Sequence, residues 1–179
     1  MTLIATRGLW QIAVHDDDGA ATYLADEWLV WSAAAPAPSP RCRTGSARAV
    51  VEVRTTAGGA RQRALVGGEL CLDGSDARLI RVGQSSEVRR GAARTCPSRL
   101  RGLLIPGLPP EYAQPVLDGL VRVPAEWDAG GLLVVDRGAY DEVDSSAFAF
   151  ELAGGLLALA LLARLAGTDL DIAALDLPV

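Results

Sequence analysis

Residues that could perform acid–base or metal chemistry are few in this sequence and lie far apart. The single histidine, His15, precedes three aspartates, and a histidine in such a polar turn is more often solvated than catalytic. The acidic group Asp141, Glu142 and Asp144 could bind a divalent cation, but the glycine-containing calcium loop is missing. The sequence also has no nucleophile elbow, metal motif or phosphate-binding glycine loop. We expect no catalytic activity, no metal and no cofactor.

The three cysteines, Cys42, Cys71 and Cys96, are odd in number and form no CxxC pair. With only one histidine they cannot supply the ligands of a structural zinc site, so we interpret them as reduced thiols. The first residues contain no long apolar run that would predict a signal peptide. The apolar run 152–163 is bracketed by charged residues and is shorter than the roughly 20 residues of a membrane-spanning helix. These features predict a cytoplasmic protein.

The charge of the chain argues against a general nucleic-acid binder. Its 179 residues carry a formal net charge of −5, and all of the basic residues are arginines. Proteins that bind phosphate backbones usually have a basic face, because neutralising phosphates supplies most of their affinity. A local patch is still compatible with this charge, because the polar segment 84–99 and its end carry several arginines: Arg89, Arg90, Arg94, Arg99 and Arg101. This segment is either a solvated surface loop or a basic rim that meets a phosphate or an acidic partner.

The N-terminal region has the pattern of an appendage. Apolar clusters at 9–14 and 24–31 flank an Asp-Gly turn, which predicts a β-hairpin, with a short helix around 23–30 as the alternative. The segment 33–40 is rich in alanine and proline and predicts a linker. We therefore expect an appendage and linker over 1–40 and one main domain over 41–179. The tryptophans of the appendage would pack in a core or form an apolar contact surface: Trp10, Trp28 and Trp31.

The main domain has the pattern of three strands followed by a helix, a strand and a helix. Alternating apolar residues predict a meander at 47–56, 60–72 and 78–82. Pro109 and Pro110 before an acidic residue indicate a helix start, and this helix should run to about residue 121. A short apolar strand is expected at 132–135. The last helix would be capped by Asp144 or Ser145 and would run to Leu165, before Gly167.

Two segments of this region carry a more specific similarity. The segment LPPEY at 108–112, followed by Val116 and Gly119, resembles the helix-opening segment of domain IV of translation elongation factor G. The segment GAYDEVDSS at 138–146, followed by Ala-Phe and Ala-Gly pairs, is similar to that domain's signature Gly-Ser-Tyr-His-Glu-Val-Asp-Ser-Ser, Ala-Phe, Ala-Gly. The resemblance covers about a third of the chain. No counterpart of the family's GTPase motif is present.

The resemblance implies a fold class. Domain IV has the ribosomal protein S5 domain 2-like fold, an α+β fold with a two-layer α/β arrangement. By this resemblance we expect a mainly antiparallel sheet of about four or more strands, with two packed helices.

The resemblance also implies a contact site. In elongation factor G this domain enters the decoding region of the ribosome and mimics part of a transfer RNA. The corresponding loop, 137–142, would be a partner-binding tip that uses Arg137, Tyr140, Asp141 and Glu142. This chain has Asp141 where the family has histidine, and an acidic tip is repelled by RNA phosphates.

The second tip loop of the family, Arg-Gly-Gln-Tyr-Gly-His, is only partly reproduced. The nearest segment, 57–63, keeps its glycines, a glutamine and the arginines Arg61 and Arg63. Together with the loop arginines Arg89, Arg90 and Arg94 these are the candidate RNA-binding residues.

Two functions follow as hypotheses. The first is a stand-alone, non-enzymatic module that binds the ribosome or RNA in a translation-related role. The alternative is a protein-interaction or self-associating module that has reused the fold and lost RNA binding. Neither hypothesis involves a membrane or a nucleotide.

Overall fold

Nine strands and two α-helices occur in the part of the chain that the computed structural model describes, residues 2–17, 19–36, 44–55, 61–85, 95–123, 127 and 129–175. In chain order the elements are β1 Thr2–Arg7, β2 Trp10–His15, β3 Glu27–Ala34, β4 Gly45–Thr55, β5 Gln62–Leu72, β6 Ala77–Gln84, β7 Cys96–Pro97, β8 Leu103–Pro106, α1 Pro110–Val121, β9 Gly131–Tyr140 and α2 Ala147–Leu165. A 3-10 turn at Ile172–Ala174 follows α2.

The strands form one mixed sheet with the order β1-β2-β4-β5-β9-β6-β3. β6 and β9 are parallel, and the other neighbouring pairs are antiparallel. β8 pairs with the end of β9, and the short β7 pairs with β8. Parallel neighbours require a crossover connection, and α1 lies in the connection between β6 and β9.

The predicted fold class is wrong about the sheet. A mainly antiparallel sheet of about four or more strands in a two-layer arrangement is expected from the resemblance, whereas the structure is rich in strand and has a nine-stranded mixed sheet. The additional strands lie at the edges, where β1 and β2 continue the sheet beyond β4 and β3 continues it beyond β6, and the parallel pair of β6 and β9 makes the sheet mixed. These pairings join residues far apart in the chain, such as Glu27 and Gln84. Local periodicity cannot reveal them.

The predicted pairing of the N-terminal apolar clusters is also wrong. β2 pairs with β1 through a tight turn at Gly8, which has a φ of 59°, and β3 lies at the opposite edge of the sheet. His15 ends β2 and is only 4% exposed, so it is not part of a solvated loop. The expected boundary at residue 40 falls within 37–43, outside the described residues.

Both helices lie against one face of the sheet and pack on each other. Their buried side chains join those of the central strands in the main core, as Val116, Leu157, Val66 and Val135 do. Glycines allow the close approach of the helices: a Cβ added to Gly119 would lie 2.0 Å from the carbonyl oxygen of Glu151, and one added to Gly154 would lie 2.4 Å from that of Val116. A side chain at either glycine would therefore clash with the backbone of the other helix.

The helix and strand bounds follow the sequence patterns, with two differences. α1 begins at Pro110 and ends at Val121, as expected. The cap of α2 is Ser146 rather than Asp144 or Ser145, and its hydroxyl accepts a hydrogen bond from the Ala149 N–H at 3.2 Å. β9 extends well beyond the predicted 132–135, because its second half pairs with β5 and β8. α2 is long and apolar enough to cross a membrane by length and composition alone, and half of the tested window is buried inside the fold.

Candidate functional site

The second face of the sheet points away from the helices. Among the residues that the structure describes, other segments pack on one half of this face, called the covered half, and not on the other, called the uncovered half. Successive side chains of a strand point to opposite faces. In β4, Val51 and Val53 belong to the helix-side core, so Val50 and Glu52 lie on the second face. The two halves of this face differ in what packs on them.

A second, smaller core occupies the covered half. Residues from the segment 95–104 and from the loop after β2 pack there on the strands. Its buried members are Ala21, Val50, Leu65, Cys96, Leu104 and Ala139. This half of the face is therefore shielded by the chain itself.

A buried ion pair joins the covering segment to the sheet. Glu52 is fully buried, and its Oε1 accepts a hydrogen bond from Nη2 of Arg63 at 3.2 Å and another from the hydroxyl of Ser98. Its Oε2 accepts from the backbone N–H of Arg99 at 2.8 Å, and Arg63 also donates to the carbonyl oxygen of Arg101 at 2.9 Å. A buried carboxylate with this many donors holds a segment in place. The role of this pair is structural.

The turn after β9 continues this network at the surface. Oδ1 of Asp141 accepts from the backbone N–H groups of Val143 and Asp144 at 2.9 and 3.0 Å, and its Oδ2 lies 3.6 Å from Nη1 of Arg63. Burial alone would raise the pKa of Asp141, but the two N–H groups and the arginine outweigh burial and lower it. The turn is thus organised by an aspartate that stays ionised.

A second ion network lies on the boundary between the two halves. Arg48 of β4 contacts three carboxylates at about the same distance: Asp17 at 3.0 Å, Glu69 at 3.0 Å and Asp136 at 2.9 Å. Arg137 also contacts Asp17, at 3.0 Å. Although burial opposes it, the Gly19 N–H and the two arginines lower the pKa of Asp17. These side chains are partly exposed, and the two arginines offset two of the three carboxylate charges.

The uncovered half carries an apolar patch, defined here as Trp28, Val30, Leu79, Leu132 and Val134. Cross-strand register places these side chains on one face: Leu79 pairs with Leu132, and Arg81 pairs with both Val30 and Val134. None of the five packs against either core. Val30 is 59% exposed and Trp28 is 38% exposed. The Arg81 guanidinium lies over the Trp28 ring, 4.6 Å from its centroid.

The structure separates the residues of the predicted tip. Tyr140 is buried and stands in the core beside Tyr112, with ring centroids 6.3 Å apart. Arg137 lies within β9, where its side chain donates a hydrogen bond to the carboxylate of Asp17. Only Asp141 and Glu142 lie in the turn, where Glu142 is exposed.

The predicted RNA-binding arginines are not brought together by the described residues. Arg61 is exposed at the start of β5, whereas Arg63 is buried in the pair with Glu52. Arg89, Arg90 and Arg94 lie within 86–94, outside the described residues. Most of the other arginines that the structure describes contact carboxylates, carbonyls or an aromatic ring: Arg7, Arg48, Arg54, Arg78, Arg81, Arg122, Arg137 and Arg164.

Sequence reasoning missed Glu52 and most of the patch. Glu52 stands in an alternating strand where a charged residue ordinarily faces solvent, and only the covering segment makes it buried. The tryptophans gave a partial signal: Trp10 is buried in the main core, Trp31 packs against it, and Trp28 is exposed on the second face.

Neither the fold nor its side chains identify a chemical centre or a family. Within the described ranges no group of three or more His, Cys, Asp or Glu residues could hold a metal ion. Comparison with protein-family models, with curated proteins and with solved structures gives no match.

Proposed function

We propose that this chain is a non-enzymatic protein-interaction module whose contact surface is the apolar patch. The observation that carries the proposal is the set of adjacent apolar side chains on the uncovered half of the sheet. Single exposed apolar residues are normal, but contiguous ones mark interaction sites. The patch includes an exposed aromatic residue, Trp28, and aromatic residues are enriched at protein interfaces.

The charges around the patch fit the same proposal. Arg81 lies over Trp28, and the Arg48 network of Glu69, Asp136 and Asp17 borders the patch on the β4 side. An apolar centre with a polar rim is the usual anatomy of a protein interface. Since these arginines already face carboxylates or an aromatic ring, they contribute little free positive charge to a phosphate contact.

The test is capture of a partner from the extract of the source cell, with ribonuclease present and at high salt. Val30→Lys places a charge in the patch, and Ile4→Lys is the matched control, because Ile4 is 56% exposed on the far edge strand β1. We expect wild type and Ile4→Lys to retain the same protein and Val30→Lys to lose it. Equal capture by all three chains, or capture abolished by ribonuclease, would argue against the proposal.

The second candidate function is ribosome or RNA binding, as the sequence resemblance to domain IV of elongation factor G suggests. One observation favours it: Arg61 is exposed, and the neighbouring Gln62 accepts a hydrogen bond from Ser146 of the signature segment. Cosedimentation with ribosomes at low and high salt tests this candidate. RNA contacts predict binding that weakens steeply as salt rises, and absence of binding at low salt excludes the candidate.

A further inference from the structure

Among the described residues, the edge strand β3 has backbone groups over most of its length that bond to no other strand. It forms eight consecutive pairs with β6 and pairs with no other strand of the described residues. The Ala35 N–H, just beyond β3, donates to the Asp76 carbonyl at 2.8 Å, in register with the β3–β6 pairing. In an antiparallel ladder such bonds recur at every second residue. The odd-numbered residues of β3 therefore bond to β6, and Trp28, Val30 and Ser32 direct their N–H and C=O groups outward. The carbonyl oxygen of Ala34 accepts a hydrogen bond from Nη2 of Arg78 at 3.3 Å.

Within the described residues, β3 also lacks the usual protection of an edge. Edge strands are normally short, bulged, covered, or interrupted by proline or inward-pointing charges. β3 has eight residues, EWLVWSAA, with one charge at its first position and an unbroken register. β1, at the opposite edge, is shorter and ends at Arg7, whose Nε donates to the Leu175 carbonyl next to the 3-10 turn. Of these two edges, β3 is the one built to accept another strand.

We propose that β3 pairs antiparallel with β3 of a second copy of this chain, about a two-fold axis perpendicular to the sheet. This inference rests on the proposed function and names its first partner. The axis keeps each face of the sheet on its own side, so even-numbered residues meet even-numbered residues across the junction. Both outward hydrogen-bonding sets then satisfy each other.

The single charge of β3 selects this arrangement. In a pairing centred on Val30, Glu27 lies opposite Ala33 of the other copy, and the two Glu27 carboxylates are roughly 20 Å apart at about 3.3 Å per residue. A parallel pairing would place like charges side by side, which is unfavourable. The antiparallel pairing also joins the two apolar patches into one continuous surface, with Val30 of each copy at its centre. A closed two-fold dimer uses the edge once and does not propagate.

The test uses a proline that removes one outward N–H and leaves the patch unchanged. Ser32 is exposed and is one of the outward residues, so Ser32→Pro removes a donor to the second copy but no bond to β6. Ser32→Ala is the matched control, because it keeps the N–H. Sedimentation velocity should give a dimer for wild type and Ser32→Ala and a monomer for Ser32→Pro, with far-UV circular dichroism unchanged. A dimeric Ser32→Pro chain with an unchanged spectrum overturns the inference.

Two further measurements keep the inference testable if the proline variant fails to fold. Amide exchange of wild type should show protection at Val30 and Ser32 that increases with chain concentration, and rapid exchange at all concentrations overturns the dimer. Cys71 is exposed on the second face, three strands from β3. In a Cys42→Ser background its labelling by maleimide should be the same in dimer and monomer. Protection of Cys71 in the dimer would show face-to-face packing and overturn edge pairing.

The failure of the dimer and the failure of the proposed function give different results. A monomeric wild type that still captures a protein through Val30 overturns the dimer and leaves the interaction module in place. A monomeric wild type whose capture is indifferent to Val30→Lys overturns both. A dimer that Ser32→Pro dissociates supports the edge pairing, and loss of capture in Val30→Lys supports the interaction module.

Discussion

At the scale of single residues, the least expected feature is a charge buried under a covering segment. Glu52 and Arg63 face each other at 3.2 Å beneath residues 98–101. Neither was distinguishable from a surface residue in the sequence, because alternation in a strand specifies the side on which a residue lies and not what lies above it. The same limit applies to Arg63 as a candidate RNA contact. The charge of Arg63 is paired with Glu52 inside the protein and does not face solvent.

Removing the charge of Glu52 should strongly destabilise the fold. Glu52→Gln leaves the buried Arg63 with only the more distant, partly exposed carboxylate of Asp141 at 3.6 Å, and breaking a buried pair from one side costs about 3–5 kcal/mol. Glu69→Gln is the control on the same face, since Glu69 is part of the partly exposed network with Arg48 and should lose less than about 1 kcal/mol. Urea unfolding measures both changes. Equal losses in the two variants would contradict the structural role assigned to Glu52.

Asp141 should make stability depend on pH in the acid range. Its pKa in the folded state is lowered, so its contribution is present above the ordinary aspartate value of 3.8 and is lost as pH falls through the folded pKa. Asp141→Asn keeps an oxygen for the turn N–H groups but has no charge facing Arg63. We expect the difference in unfolding free energy between wild type and Asp141→Asn to be largest at neutral pH and to disappear in strong acid.

The control for this prediction lies in the same turn. Glu142 is exposed, and Glu142→Gln removes a neighbouring carboxylate that faces solvent. Its effect should be small at every pH. A difference for Asp141→Asn that is constant down to strong acid would mean that the turn geometry, and not the charge, is what the substitution disturbs.

At the scale of elements, the helices and the inner strands were predictable and the edges of the sheet were not. α1, β4 and β5 are bounded by local signals such as Pro110 and the turn residues between strands, and their expected bounds agree with the structure to within a few residues. The pairings of β2 with β4 and of β3 with β6 depend on contacts between distant parts of the chain. The apolar patch depends on those pairings too, because it combines residues of β3, β6 and β9. No local pattern could have assembled it.

The junction of the two helices offers a test within one element. Gly154 and Gly155 are adjacent in α2, but a Cβ at Gly154 would lie 2.4 Å from the Val116 carbonyl oxygen, whereas one at Gly155 would lie 3.5 Å from that of Gly119. Gly155→Ala should stabilise the protein by up to about 1 kcal/mol, since alanine is the better helix former. Gly154→Ala should destabilise it, because α1 and α2 must separate. Thermal unfolding of both variants measures these changes. Stabilisation by both substitutions would contradict the close approach of α1 and α2 at Gly154.

At the scale of the whole molecule, the edge pairing of β3 makes stability depend on chain concentration. A dimer that forms only from folded chains draws the folding equilibrium toward the native state. A tenfold rise in concentration is worth about 1.4 kcal/mol per dimer, or about half of that per chain. For a chain of this size we expect the wild-type Tm to rise by about 2 °C per tenfold increase in concentration.

Three variants test whether the concentration dependence of Tm comes from pairing of the β3 edge. Ser32→Pro removes an outward donor of β3, so its Tm should not change with concentration, while Ser32→Ala should follow wild type. Ile4→Lys should also follow wild type, because β1 takes no part in the junction. Differential scanning calorimetry over a hundredfold range of concentration measures all four chains. Loss of the dependence in Ile4→Lys as well would mean that β1 of one copy meets β3 of the next, a head-to-tail contact that builds open chains instead of a closed dimer.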